Sequence, residues 1–268
     1  MKTSKLSWVC LAATVALTPV GALAGQPAGP PPAPIDPQYL SPPTSKRVTD
    51  TSGINGVWET WLGRNDPAHP PSPNIPPAPL KPEYQAKVDA TARANREATA
   101  KGLPPTTAWS QCLPEGFPSM MRSGSFAVEM LVTPGQVTMI NELLNQVHRI
   151  YLDEPQGRIG EVEPVFFGHS VGHWEGDTLV VDTIGVKEDA LFRDTPHSDQ
   201  QRIVERIRLI SPDWLEDQTT IEDPVVLTGP WKFTWIMKRN NPAKLQEYVC
   251  EANREYDDNG AQRLRVSR

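Results

Sequence analysis

From Phe126 onward the chain alternates apolar and polar residues with a period of two, the pattern of strands with one buried and one wet face. Trp231, Phe233, Trp235 and Met237 share one parity, against Lys232, Thr234 and Lys238. Ile203, Ile207 and Leu209 share another, against Arg206 and Arg208. The pattern predicts strands over 127–132, 137–142, 147–152, 168–174, 177–184, 202–210, 214–222 and 231–239, with 244–250 as a further strand closing the sheet. Turn residues punctuate them: Pro134-Gly135, Glu175-Gly176 and Ser211-Pro212-Asp213,. Upstream, 54–61 reads as a first strand. Residues 82–101 read as a surface helix, with Pro82 at its start, Gly102 as its stop and few apolar residues between,. A parallel α/β fold would need alternating helices, and they are missing. The expected fold is mainly β, an antiparallel meander forming a closed or partly closed barrel; a sandwich is the other arrangement of the same pattern.

Two stretches lie outside that pattern. Lys2 and Lys5, the apolar run 6–20 and Ala22-Leu23-Ala24 have the layout of a signal peptide over 1–24,. Residues 25–82 hold 16 of the 29 prolines. Residues 25–50 are therefore expected as a proline-rich flexible arm, ahead of a single barrel-like domain over 51–268. Removing Lys2 and Lys5 from the 26 basic residues leaves 24 against 32 acidic ones, a net charge of −8. That balance argues against nucleic acid as a partner. No later apolar run is long enough for a membrane-spanning helix. Cleavage also removes Cys10 and leaves Cys112 and Cys250. An even pair in an exported chain reads as a disulfide; two separate buried thiols are the alternative.

The alternation places two carboxylates among apolar neighbours. Glu205 lies between Ile203 and Ile207, and Asp217 shares a face with Leu215, Thr219 and Ile221. A buried carboxyl must find a partner or keep its proton, and a raised pKa suits a general acid or base near neutral pH. An ion pair with an arginine across the sheet, such as Arg149, is the structural alternative for Glu205. His197 lies in the polar loop that feeds the Glu205 strand and is a second acid–base candidate, against a turn capped by Ser198 and Asp199. With Glu175-Gly176 as the turn, His169 stands opposite Asp182, and a carboxylate-oriented imidazole can exchange protons. An ordinary structural hydrogen bond is the plainer account of that pair. His148 is expected on an exposed face. His169 and His173 would lie about 13 Å apart on one strand, too far for one metal ion. No G-x-S-x-G, P-loop or dinucleotide-binding glycine pattern is present,, so no cofactor is expected. The expected catalytic set is His197, Glu205, Asp182 and His169, converging on one pocket.

The run Gly168-His169-Ser170-Val171-Gly172-His173-Trp174-Glu175-Gly176-Asp177-Thr178-Leu179-Val180-Val181-Asp182-Thr183 resembles a large family of secreted bacterial proteins of unknown function. Cys112-Leu113-Pro114-Glu115-Gly116, Arg149-Ile150-Tyr151-Leu152-Asp153, Pro196-His197-Ser198, Glu205-Arg206, Glu222-Asp223-Pro224 and Glu247-Tyr248-Val249-Cys250 carry the same resemblance. It spans about Gly56 to Asn253. It departs at Asp153-Glu154-Pro155-Gln156-Gly157, where the family commonly runs Asp-Gly-Arg. It brings no established activity. Gly56-Val57-Trp58 is also similar to the G-x-W signature of lipocalin-like (calycin) barrels, which implies a tryptophan plugging one barrel end. Two functions are compatible with these readings. One is a periplasmic or secreted, cofactor-independent enzyme, a lyase, isomerase or hydrolase, using general acid–base chemistry on a small hydrophobic or aromatic compound in a barrel pocket. The other is a non-catalytic, lipocalin-like carrier of a hydrophobic ligand. Buried Glu205 and Asp217 favour the first.

Overall fold

The computed structural model describes residues 53–63, 70, 75–103, 112–122 and 126–250, with the backbone of 254–256 and 262–264. The expected signal peptide and proline-rich arm lie outside the described residues. Nine strands close into one barrel in chain order. They are β1 (Gly56–Thr60), β2 (Val128–Thr133), β3 (Gln136–Asn141), β4 (Gln146–Leu152), β5 (His169–Glu175), β6 (Thr178–Ile184), β7 (Arg202–Ser211), β8 (Trp214–Glu222) and β9 (Trp231–Arg239). A separate ladder joins β10 (Arg254–Tyr256) to β11 (Gln262–Leu264). Helix α1 (Pro82–Ala100) buries none of its residues completely, as its composition predicted.

Two expectations about the sheet need correction. Residues 244–250 form no strand; β9 pairs directly with β1, Glu59 opposite Lys238, and that pairing closes the barrel. The meander is antiparallel except at β4 and β5, which run parallel with Ile150 opposite Ser170. A parallel pair needs a long return connection, here 153–168. That segment contains no helix, so nothing in its pattern announced a crossover.

Parity decides what fills the barrel. Ile203, Glu205 and Ile207 of β7, Leu215, Asp217, Thr219 and Ile221 of β8, and Trp231, Phe233, Trp235 and Met237 of β9 are all buried. Arg202, Arg206 and Arg208 point outward and pair with Asp182, Glu175 and Glu216. Trp58 points into the barrel near the end of β9, paired with Arg239. It is fully buried, its Nε1 donates to Ile54 O at 2.9 Å, and the Arg239 guanidinium lies 4.1 Å from its ring centre. Arg239 is itself held by the carbonyls of Gly53, Asn55 and Pro212.

The glycine of that motif is required by backbone and space. Gly56 has φ +135°, and a Cβ there would sit 2.6 Å from Asn241 Oδ1 and 2.8 Å from Arg239 Nη1. Gly56→Ala is therefore expected to cost about 1–3 kcal/mol, read as a lower urea midpoint. An unchanged midpoint would mean that the Arg239 anchor yields freely.

Candidate functional site

Glu205 and Asp217 lie half-way along the barrel interior, both with no exposed surface. Glu205 stands opposite Thr219, and Asp217 opposite Ile207 on one side and Trp235 on the other. The two carboxyls are therefore diagonal neighbours on the inner wall of β7 and β8. Thr219 Oγ1 donates a long bond to Asp217 Oδ1, 3.4 Å. No donor from the rest of the described protein reaches Glu205 Oε1, Glu205 Oε2 or Asp217 Oδ2. Among the described residues no arginine pairs with Glu205: Arg149 is exposed on the outer face of β4. Burial, with the neighbouring Asp217 carboxyl second, raises Glu205 well above the usual carboxylate range. Burial pushes Asp217 up to about 7, against the opposing pull of the Glu205 and Thr219 hydrogen-bonding groups. The Nε1 of Trp235, the residue opposite Asp217, also lacks a partner among the described residues.

A second polar arc crosses β4, β5 and β6. His148 Nε2 lies 3.2 Å from Ser170 Oγ, which lies 2.6 Å from Thr183 Oγ1. His148 is buried rather than exposed, because Gln146, His148 and Ile150 share the inward parity of β4. Its ring stacks on Phe117 at 4.3 Å, its Nδ1 has no partner, and burial lowers its pKa to about 3. Thr183 is opposite Ile203 and Glu205 is opposite Val181, so the two arcs meet diagonally on the β6–β7 wall.

The barrel end opposite Trp58 is closed by the β6–β7 loop, 185–201. Phe192 inserts there, with ring centres 5.2 Å from Trp231, 5.3 Å from Phe233 and 6.0 Å from Trp235. It is carried on a tight turn in which Arg193 and Asp194 both take left-handed backbone, φ 53° and 59°, closed by Thr195 N–H donating to Phe192 O at 3.0 Å. Non-glycine residues pay about 1–2 kcal/mol each for that conformation, less for Asp. Beside Phe192 lies a cavity of about 10 Å³ lined by Phe117, His197, Gln201, Ile221 and Trp231 among others, room for one water. Gln201 Oε1 in its wall is unpartnered.

The structure does not bring the four expected site residues together. His197 lines the end cavity, its Nε2 donating to Lys187 O at 3.1 Å. Glu205 does not line that cavity: Ile203 and Ile221 form the layer between, and Glu205 lies about 7 Å deeper along the strand. The loop turn is organised by Asp223, which accepts from the N–H groups of Ser198, Val225 and Val226 and from Ser198 Oγ. The expected His169–Asp182 pair is absent. The two-residue loop is Gly176-Asp177, so His169 faces Ile184 and Asp182 faces Val171. Asp182 is bound through both oxygens to Arg202, at 2.9 and 2.7 Å. His169 lies on the outer surface and donates from Nε2 to Glu163 O at 2.8 Å. His148, Phe192 and Trp235 Nε1 were not anticipated as site elements. Parity with Ile150 is the signal that could have placed His148; nothing in the polar loop around Phe192 announces a plug. No protein-family model and no curated protein matches the chain.

Proposed function

We propose that the chain is a periplasmic or secreted, cofactor-independent enzyme in which Glu205 and Asp217 act as a general acid–base pair on a small hydrophobic or aromatic compound. The observation that carries this reading is the pair itself: adjacent, fully buried carboxyls at mid-barrel that interact with one another and with Thr219 and have no basic partner among the described residues. Unpaired acids are costly in an interior that apolar residues would fill. Burial raises both carboxyls, Asp217 to about 7, so the pair exchanges a proton closer to neutral pH than free carboxylates do, as proton transfer requires,. On this reading a substrate reaches the pair only when Phe192 swings away from Trp235, the residue opposite Asp217, and the Ile203–Ile221 layer yields. The aromatic wall of Trp231, Phe233 and Trp235 suits an apolar or aromatic substrate. The Cys112–Cys250 disulfide fits folding in an oxidising compartment,, and the layout of residues 1–24 supports export.

The test begins with native mass spectrometry of the protein purified from its own host, to identify any small molecule carried with it. That molecule is then incubated with wild type and with Glu205→Gln in D₂O. Wild type is expected to return a converted or deuterated compound, and Glu205→Gln an unchanged one. A compound that wild type binds but returns unchanged and undeuterated would overturn the enzyme reading in favour of a carrier.

A further inference from the structure

The parallel β4–β5 pair leaves a groove on the outside of the barrel, beneath the returning segment 153–168. Its volume is about 430 Å³, within the range of small-molecule sites. Gln156 pins the segment over the sheet: its Nε2 donates to His169 O at 3.1 Å and Asp182 O at 2.7 Å. The outward parity of β4 brings Arg149 and Tyr151 to the groove, and the register of Ile150 on Ser170 sets Arg149 beside His169 of β5. Val162, Val165 and Phe167 supply apolar wall.

The charges in the groove are uneven. The outward arginines of β7 each have a carboxylate partner; Arg149, which lines the groove, has none among the described residues. Glu154 also lines the groove, just after the left-handed turn at Asp153.

We propose that this groove is a second binding site, separate from the barrel interior, for a small carboxylate with an apolar or aromatic body, held by its carboxylate on Arg149. A guanidinium presents two parallel donors that match a carboxylate, and the Tyr151 hydroxyl adds a third donor two residues along the same face. The apolar body lies against Val162, Val165 and Phe167. His169, already donating through Nε2 to Glu163 O, forms the side wall beside Arg149. The signature histidine expected to serve catalysis thus belongs to this outer site.

The experiment is calorimetric titration of the full chain at pH 7 and low salt with 4-phenylbutanoate and with its neutral amide. The carboxylate is expected to saturate one site, with the amide about tenfold weaker or more. Arg149→Gln, an exposed substitution that leaves the core untouched, should lower carboxylate affinity by about the same factor and leave the amide unchanged. Phe192→Ala, which opens the barrel end, should leave carboxylate affinity within about twofold, because the two sites share no partner. Absence of saturable binding, equal affinity for acid and amide, or indifference to Arg149→Gln would each overturn the proposal. Binding altered by Phe192→Ala and not by Arg149→Gln would place the ligand in the barrel and overturn it too. The outcome is independent of whether Glu205 and Asp217 catalyse a reaction.

Discussion

Reduction of the Cys112–Cys250 disulfide is expected to lower the melting temperature by about 10–20 °C. The bond spans 138 residues, with Cα atoms 5.8 Å apart. In the chain-entropy account, closing a loop of that length removes about 5 kcal/mol of unfolded-state freedom. For a domain of this size each kcal/mol moves the midpoint by about 2–4 °C. The bond also anchors the segment that leads into Phe117, the residue that stacks on His148 and lines the end cavity. Scanning calorimetry of the oxidised protein, the reduced protein and Cys112→Ser/Cys250→Ser checks the prediction. The reduced and doubly substituted proteins should melt together, well below the oxidised one. Midpoints within a few degrees of one another would show that non-covalent packing already holds this segment.

Stability is expected to peak in mildly acidic solution and to fall on both sides, for different reasons. Asp217 moves from an ordinary value of 3.8 to about 7 on folding, and Glu205 also moves upward. The folded state then binds more protons than the unfolded state, so this contribution is full below about pH 4 and is lost as pH rises through 7 and beyond. His148 moves the other way, from 6.5 to about 3. Its contribution is full above pH 6.5 and is lost as pH falls towards 3. Between about pH 4 and 6.5 the two slopes oppose one another. Above 6.5 only the acid pair still has a slope: the Asp217 part ends near pH 7, and the upward shift of Glu205 extends the decline,. Urea unfolding at stepped pH reads this directly. Glu205→Gln should match wild type below about pH 4, where the acid contribution is full, and exceed it at pH 9, where the variant has no buried acid to ionise at that position,. Parallel curves for the two proteins from pH 6.5 to 9 would show that the pair does not retain its protons on folding. Glu216 on the outer face of β8 also raises Asp217, so in Glu216→Gln the Asp217 part of the decline should end at slightly lower pH and be slightly smaller.

Period-two alternation was sufficient to show a mainly β chain with one surface helix, leaving barrel and sandwich open, and to put Glu205 on the face of Ile203 and Ile207 and Asp217 on the face of Leu215 and Ile221. Residue parity is a local property, and a strand keeps it whatever its neighbours do. Gly56-Val57-Trp58 stood out in the sequence only through its likeness to a G-x-W signature; the left-handed backbone of Gly56 and the burial of Trp58 are features of the folded chain. Register and closure depend on partners far along the chain. Moving the β5–β6 loop by one residue, from Glu175-Gly176 to Gly176-Asp177, shifted the opposing residue by two and dissolved the His169–Asp182 pair. The parallel entry of β5 turned His169 and Arg149 into neighbours on the outside. Parity also leaves open which of two faces is the inside. For β4, with Gln146 and His148 on one face and Arg149 and Tyr151 on the other, only the closed barrel decided that the histidine goes in and the arginine stays out. The insertion of Phe192 and the diagonal meeting of two carboxyls from different strands were likewise decided by tertiary packing, because each depends on distances between segments that alternation along a single strand does not encode.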